Sequence, residues 1–139
     1  MPDECVPMYT VIAHMILEPL RTDFQIPIKI TSGYRTLSEN EAAGGSHTSQ
    51  HLATDNYAAV DFKFRAHLEN VNMRPAFDWL RQQTHMVWDQ MILEHTSGAG
   101  DIIHISLTRK LNRREALEGD TSNLSAYESW PVAAYSVNA

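Results

Sequence analysis

The sequence predicts an α+β domain in which helices pack on one face of a mostly antiparallel sheet. Three observations carry this reading. Val11, Ile12, Met15, Ile16 and Leu20 recur at the three-and-four spacing of a core-facing helix. Val60, Phe62 and Phe64 alternate with Ala59, Asp61 and Lys63, the pattern of a half-buried strand. Two further apolar runs, 88–94 and 101–107, flank the turn-rich Thr96-Ser97-Gly98-Ala99-Gly100 and read as a hairpin.

Each element follows in order. Residues 6–24 form the first helix, and Pro19 removes one backbone donor within it, which predicts a kink. Residues 27–31 alternate and stop at Ser32-Gly33, giving a short strand. A short helix spans 36–43, with Thr36 as N-cap and Glu39 as its capping-box partner, and Gly44-Gly45-Ser46 ends it. The polar stretch 47–56 has no apolar period and is a loop, followed by the strand 58–64. A second helix covers 70–83, with Pro75 in its first turn and Phe77 and Leu80 on its buried side. After the hairpin, 113–117 reads as a helical turn. From 118 the chain is rich in Ser, Asn and Ala, with isolated Tyr127, Trp130 and Tyr135. The expected division is therefore a folded domain over 1–117 and an extended C-terminal arm over 118–139.

A chain of 139 residues is the size of one domain, and 43% hydrophobic with 20% charged residues argues against disorder or a fibrous rod. No apolar run approaches the roughly 20 residues that cross a bilayer, so no membrane partner is expected. The first ten residues lack a basic stretch followed by an apolar one, and no Sec-type signal peptide is expected. Eleven Lys and Arg against 17 Asp and Glu give a net charge of −6, which disfavours nucleic acid as a partner. The single cysteine, Cys5, excludes both an internal disulfide and a thiolate zinc finger.

The chemistry is read from strand faces. Asp61 lies opposite Val60, Phe62 and Phe64, and His104 lies opposite Ile103, Ile105 and Leu107. Both strands thus bury their apolar residues and turn one metal-competent side chain to the other face. His51 sits in the polar loop that feeds the strand of Asp61. Two imidazoles and one carboxylate with a fourth position open form the ligand set of a catalytic zinc site, whose Lewis acidity suits amide hydrolysis. Spacing alone leaves open that Asp61 and His104 are separate, solvated strand residues.

Several motifs stand in a telling order: Ile30-Thr31-Ser32-Gly33-Tyr34-Arg35-Thr36, Gly44-Gly45-Ser46, Ser49-Gln50-His51-Leu52 and Ala58-Ala59-Val60-Asp61-Phe62. Asp89-Gln90-Met91-Ile92-Leu93-Glu94 and Ile102-Ile103-His104-Ile105-Ser106 follow. Over about residues 6–117 the chain resembles the zinc D-Ala-D-Ala peptidases. That family includes D-alanyl-D-alanine carboxypeptidases, vancomycin-resistance dipeptidases and phage L-alanyl-D-glutamate endolysins, and hedgehog signalling domains share its fold. The resemblance implies Zn2+ held by His51, Asp61 and His104, with Arg35 and Ser49 binding substrate. Two acids compete as general base. Asp101 stands three places before the last histidine, as in several members, while Glu94 on the preceding strand matches the phage-like branch. Glu94 is favoured, since Asp101 follows Gly100 and belongs to the turn.

Two departures are visible. The stretch between His51 and Asp61 is three residues longer than the family pattern His-Leu-x-Gly-x-Ala-x-Asp and lacks its glycine. Asp55 falls in that stretch as an alternative ligand, but the Ala-x-Asp-Phe context belongs to Asp61. Ile102 stands where the family carries an aromatic two places before the last histidine.

The resemblance implies a phage-encoded peptidase acting on the stem peptides of bacterial peptidoglycan, of the D,D-carboxypeptidase or endolysin type. Its implied location is the host cytoplasm before holin-type release, or the virion. A second expectation is a virion or assembly protein that keeps the fold with reduced or no catalysis and docks on other virion proteins through the 118–139 arm. A third, a binding module with a closed structural metal, requires His47 or Glu94 as a fourth ligand. His67, His85 and His95 fall in turns and read as solvated, and Trp79 and Trp88 as core.

Overall fold

The computed structural model describes residues 1–46, 48–65, 71–96, 98, 100–121 and 126–136. A 3-10 turn, Asp3–Cys5, leads into α1 (Val6–Ile12), a π-helical turn (Ala13–Leu17) and α2 (Glu18–Phe24). The disturbance expected at Pro19 takes the form of that widened turn just before it, which accommodates the missing backbone donor. Gln25, at φ 54, closes α2 in the left-handed conformation.

The buried stripe of this rod is Cys5, Met8, Ile12, Ile16 and Leu20. Val11 and Met15, expected in the core, are 41% and 62% exposed. Each stands one residue before a core position and so lies about 100° around the helix from it. Ile12, Ile16 and Leu20 are buried as expected, so the predicted stripe has the right period and phase but is one position too wide.

Six strands form a single sheet in the order β1-β2-β4-β3-β5-β6. They are β1 (Ile28–Ser32), β2 (Tyr57–Phe64), β3 (Gln90–Thr96), β4 (Gly100–Thr108), β5 (Glu115–Asp120) and β6 (Glu128–Trp130). All pairings are antiparallel except the parallel contact of β3 with β5. Two short helices complete the described elements, α3 (Leu37–Ala42) and α4 (Arg74–Gln82). Val60, Phe62, Phe64, Met91, Leu93, Ile103 and Ile105 join Ile12, Ile16, Leu20, Phe77 and Leu80 in one buried cluster. Each such side chain is worth about 1.5–3 kcal/mol when fully buried. Trp88 is fully buried with them, whereas Trp79 is half-buried at the edge. No helix is long and apolar enough to cross a membrane.

The fold is α+β with one mostly antiparallel sheet. α3 carries the expected capping box between Thr36 and Glu39 and touches the 3-10 turn Gln50–Leu52. The loop after α3 is pinned where Asn40 donates to the Ser46 carbonyl at 2.8 Å. Gly45 has no room for a Cβ, which would fall 2.1 Å from Asn40 Oδ1.

Two expectations for the C-terminal part change. Residues 113–117 do not form a helical turn: Arg114 lies at φ 51, which interrupts a helix, and the chain enters β5. The division at 117/118 falls inside β5, and β6 hydrogen-bonds to it. Trp130 packs edge-to-face on Phe77 at 6.5 Å, with the Arg74 and Arg81 guanidinium groups 5.0 and 4.9 Å from its ring centroid. Residues 118–120 and 128–130 therefore belong to the sheet, and Trp130 and Val132 pack against its core, which does not fit a separate arm. Sparse apolar residues hid this, because main-chain pairing to a sheet edge asks little of the side chains.

Candidate metal centre

Strand register builds the site. Asp61 of β2 pairs directly with His104 of β4, and His104 pairs with Ile92 of β3. Paired residues share a face, so both metal-competent side chains leave the sheet on the side opposite the apolar cluster. His51 comes to the same place from the Gln50–Leu52 turn, where Ser49 Oγ accepts the His51 N–H at 3.3 Å. The Arg35 N–H donates to the His51 carbonyl at 2.8 Å.

His51 Nδ1–H donates to the Gly33 carbonyl at 2.7 Å, which leaves its Nε2 lone pair free. That nitrogen lies 3.0 Å from Asp61 Oδ1 and 3.2 Å from His104 Nδ1, and the latter lies 3.0 Å from the same Asp61 oxygen. Ligands about 2.0–2.1 Å from a tetrahedral zinc ion stand about 3.3 Å apart, close to these separations. With His104 Nδ1 unprotonated, three lone-pair atoms face one another, and a cation among them relieves their repulsion. The donor set of two imidazole nitrogens and one carboxylate oxygen therefore fits a metal ion. Among the described residues it is His51, Asp61 and His104 that could hold one. Glu94 is outside this group, and His47 lies outside the described residues.

Asp61 is tuned for this place. Burial opposes its ionisation, but the adjacent His104 and His51 rings, when they carry protons toward it, outweigh burial and hold the carboxyl well below the usual carboxylate range. Its second oxygen is 3.6 Å from the Arg35 guanidinium, which also donates from Nε to Ser32 Oγ at 3.2 Å. The lengthened stretch before Asp61 folds as a tight turn in which the Thr54 N–H reaches the Tyr57 carbonyl at 2.9 Å. Ala53 holds φ 22 there, where the family pattern places a glycine one residue later. His51 and Asp61 still meet, and Asp55 is exposed at the tip of the turn.

The two candidate acids part company. Glu94 pairs with Ile102, shares the face of His104 and lines the cleft. Burial and the nearby Asp61 carboxylate raise its pKa above the ordinary glutamate value. Asp101 belongs to β4 rather than to the turn, and pairs with His95 on the other face, as its odd spacing from His104 requires. There it accepts from the Met73 N–H at 3.0 Å and from His95 Nδ1 at 2.7 Å. His95 is thus an engaged residue, with its Nε2 2.6 Å from Glu118 Oε2, rather than a solvated one. His85 likewise contacts the Ser136 carbonyl at 2.7 Å, and His67 lies outside the described residues.

The cleft over the three ligand atoms has a volume of about 570 Å³ and includes Arg35, Ser49, Gln90, Ile92, Glu94 and Tyr127 in its walls. Tyr127 was not anticipated there. Its ring lies against Gly119, where a Cβ would come within 1.8 Å of it, and Gly119 pairs with Glu94 across β3 and β5. Burial and the Glu94 charge push its phenol up to about 12, so it stays protonated. The signal in the sequence was the glycine inside a strand, which marks a close approach of another group.

The sequence model of the family described as Peptidase M15 matches residues 3–106. No curated protein and no solved structure matches the chain. The match spans most of the chain, including all three residues of the cluster, and the chain belongs to the Peptidase M15 family.

Proposed function

We propose that this protein is a zinc-dependent peptidase that cleaves peptide bonds of bacterial peptidoglycan, of the D,D-carboxypeptidase or endolysin type, encoded by a phage. The observation that carries the reading is the convergence of His51 Nε2, His104 Nδ1 and Asp61 Oδ1 beneath a cleft walled by Glu94. The proposed fold type is that shared by D-Ala-D-Ala peptidases and hedgehog domains.

His51, Asp61 and His104 would hold the ion, which when bound supplies Lewis acidity toward a carbonyl and toward water. The Glu94 carboxylate takes a proton from the attacking water and delivers it to the leaving amine. A carboxyl raised by burial beside another acid suits both halves of that transfer. Arg35 orients the substrate carbonyl or terminal carboxylate with guanidinium N–H groups not spent on Ser32. Ser49 stands at the cleft wall beside the His51 turn, within the same substrate-facing surface. Holin-type release from the host cytoplasm or carriage on the virion would bring the enzyme to the cell wall.

The assembly reading draws on the lengthened stretch between His51 and Asp61 and on the aromatic residues of 118–139 as a docking arm. The ligand atoms meet despite the longer loop, and Trp130 packs on this chain's own Phe77. The peptidase reading is therefore the one the geometry supports best. Its test is release of new amino groups from purified peptidoglycan. The zinc-loaded protein is expected to release them, chelation to stop it, and restored zinc to recover it; no release by the loaded protein would count against the reading.

A further inference from the structure

Asp89 is a buried carboxylate that the peptidase reading leaves without a role. It stands at the entry to β3, only 3% exposed. Its Oδ1 accepts from the Arg113 backbone N–H at 2.9 Å and from Arg113 Nε at 3.1 Å. Its Oδ2 accepts from an Arg113 terminal nitrogen at 2.9 Å and from Gln50 Nε2 at 2.9 Å. The main chain of Asp89 is fixed as well. Its N–H donates to the Ser106 carbonyl at 2.7 Å, and its carbonyl accepts from the Glu115 N–H at 3.0 Å.

A side chain held in this way does not follow its partner; the partner follows it. Gln50 is that partner, and it opens the turn whose next residue is His51. The other hydrogen bonds that orient His51 come from Gly33, Arg35 and Ser49. Gly33 and Arg35 stand just after β1 at one edge of the sheet, and Ser49 belongs to the loop itself. The Gln50 amide instead anchors the turn to the far half of the sheet, 39 residues along the chain. Burial disfavours the Asp89 charge, but the hydrogen bonds from Arg113 and Gln50 keep its pKa below the ordinary value, so the bonds are charge-assisted.

We propose that Asp89 is a positioning residue for His51: through the Gln50 amide it holds the Gln50–Leu52 turn so that His51 Nε2 stays beside Asp61 and His104. Arg113 clamps Asp89 from the other side. It lies beyond the segment 3–106 that the family model matches, so this part of the brace is one the family match does not assign. The inference rests on the metal-binding part of the reading above.

Replacing Asp89 itself strands Arg113 and endangers folding, so the test acts on Gln50. Gln50→Met keeps the length and loses the donor, whereas Gln50→Lys keeps a donor toward Asp89. Zinc affinity is measured by competition with a chromophoric chelator, alongside the thermal midpoint of each metal-free protein. Gln50→Met is expected to bind zinc about tenfold more weakly than wild type, the size typical of groups that orient a ligand. Gln50→Lys is expected to recover most of that loss, and the two variants are compared at their own metal-free midpoints, so that a general loss of stability is told apart from a loss of zinc affinity. Wild-type affinity in Gln50→Met, or equal losses in both variants, overturns the inference while leaving the metal site standing. A wild-type protein that binds no zinc overturns the metal reading and this inference together.

Discussion

The two faces of the β3–β4 hairpin each gather histidine and carboxylate, and they do opposite things with them. On the cleft face, two imidazoles share one oxygen of Asp61, with all three atoms within 3.2 Å of one another. Lone pairs outnumber protons there, and a cation is what resolves the excess. On the helix face, the single imidazole of His95 meets two carboxylates, Asp101 at 2.7 Å and Glu118 at 2.6 Å. Each ring nitrogen has its own oxygen, so a proton on each satisfies the group and no ligand atom is left over. The Glu118 hydrogen bond leads the rise in the His95 pKa, against a smaller opposing effect of burial, and Asp101 adds to it. The ratio of rings to carboxylates decides whether such a cluster wants a metal or a proton.

The sharpest way to break this comparison neutralises one acid on each face. Glu94→Gln is expected to lower kcat about 10²- to 10⁴-fold with zinc content unchanged, as removal of a general base does. Asp101→Asn is expected to leave kcat unchanged and to cost about 1–3 kcal/mol of stability, since it disturbs the acceptor of the Met73 N–H and of His95. Steady-state kinetics and denaturant unfolding on both variants decide it; the opposite pattern would move the base to Asp101.

A smaller effect is expected at the cleft wall. Gly119→Ala places a methyl where the Tyr127 ring now lies, so Tyr127 must leave its seat. KM for a stem-peptide substrate should rise about fivefold with kcat little changed, the equivalent of about 1 kcal/mol of lost binding. An unchanged KM would show that Tyr127 stands clear of the substrate.

The smallest effect concerns pH. The folded-state pKa of His95 is raised above 6.5, so its contribution to stability is complete below that value and fades as pH rises through the folded one. The groups facing it are Asp101 and Glu118, and Arg74 also pairs with Glu118. The thermal midpoint of wild type should exceed that of His95→Gln in mildly acidic solution, and the gap should close toward alkaline pH. A gap independent of pH would mean that His95 is held by packing rather than by its charge.

Much of the site was legible because it depends on parity. Branched residues on alternate positions of β2 and β4 fix which side Asp61 and His104 take, and the register of the two strands does the rest. The Thr36–Glu39 capping box was legible for the same local reason. Parity also separates Asp101 from His104, three residues apart, a signal that the flexible glycine before Asp101 obscured. What stayed hidden is long-range. Nothing in residues 113–120 announces a parallel partner in β3, and an arginine at φ 51 gives no local sign of itself. The Gln50–Asp89 bond spans two regions that no periodicity links. The helix stripe reads too wide because apolar residues occupy adjacent positions at Val11–Ile12 and Met15–Ile16, and only the packed sheet chooses between them.

The most direct test of the metal centre is the zinc content of the purified protein by elemental analysis, for wild type and for His104→Ala. The geometry predicts a single zinc ion per chain that is lost in the variant while the apolar face of the sheet keeps it folded. Zinc absent from the wild type, or retained in full by His104→Ala, would contradict it.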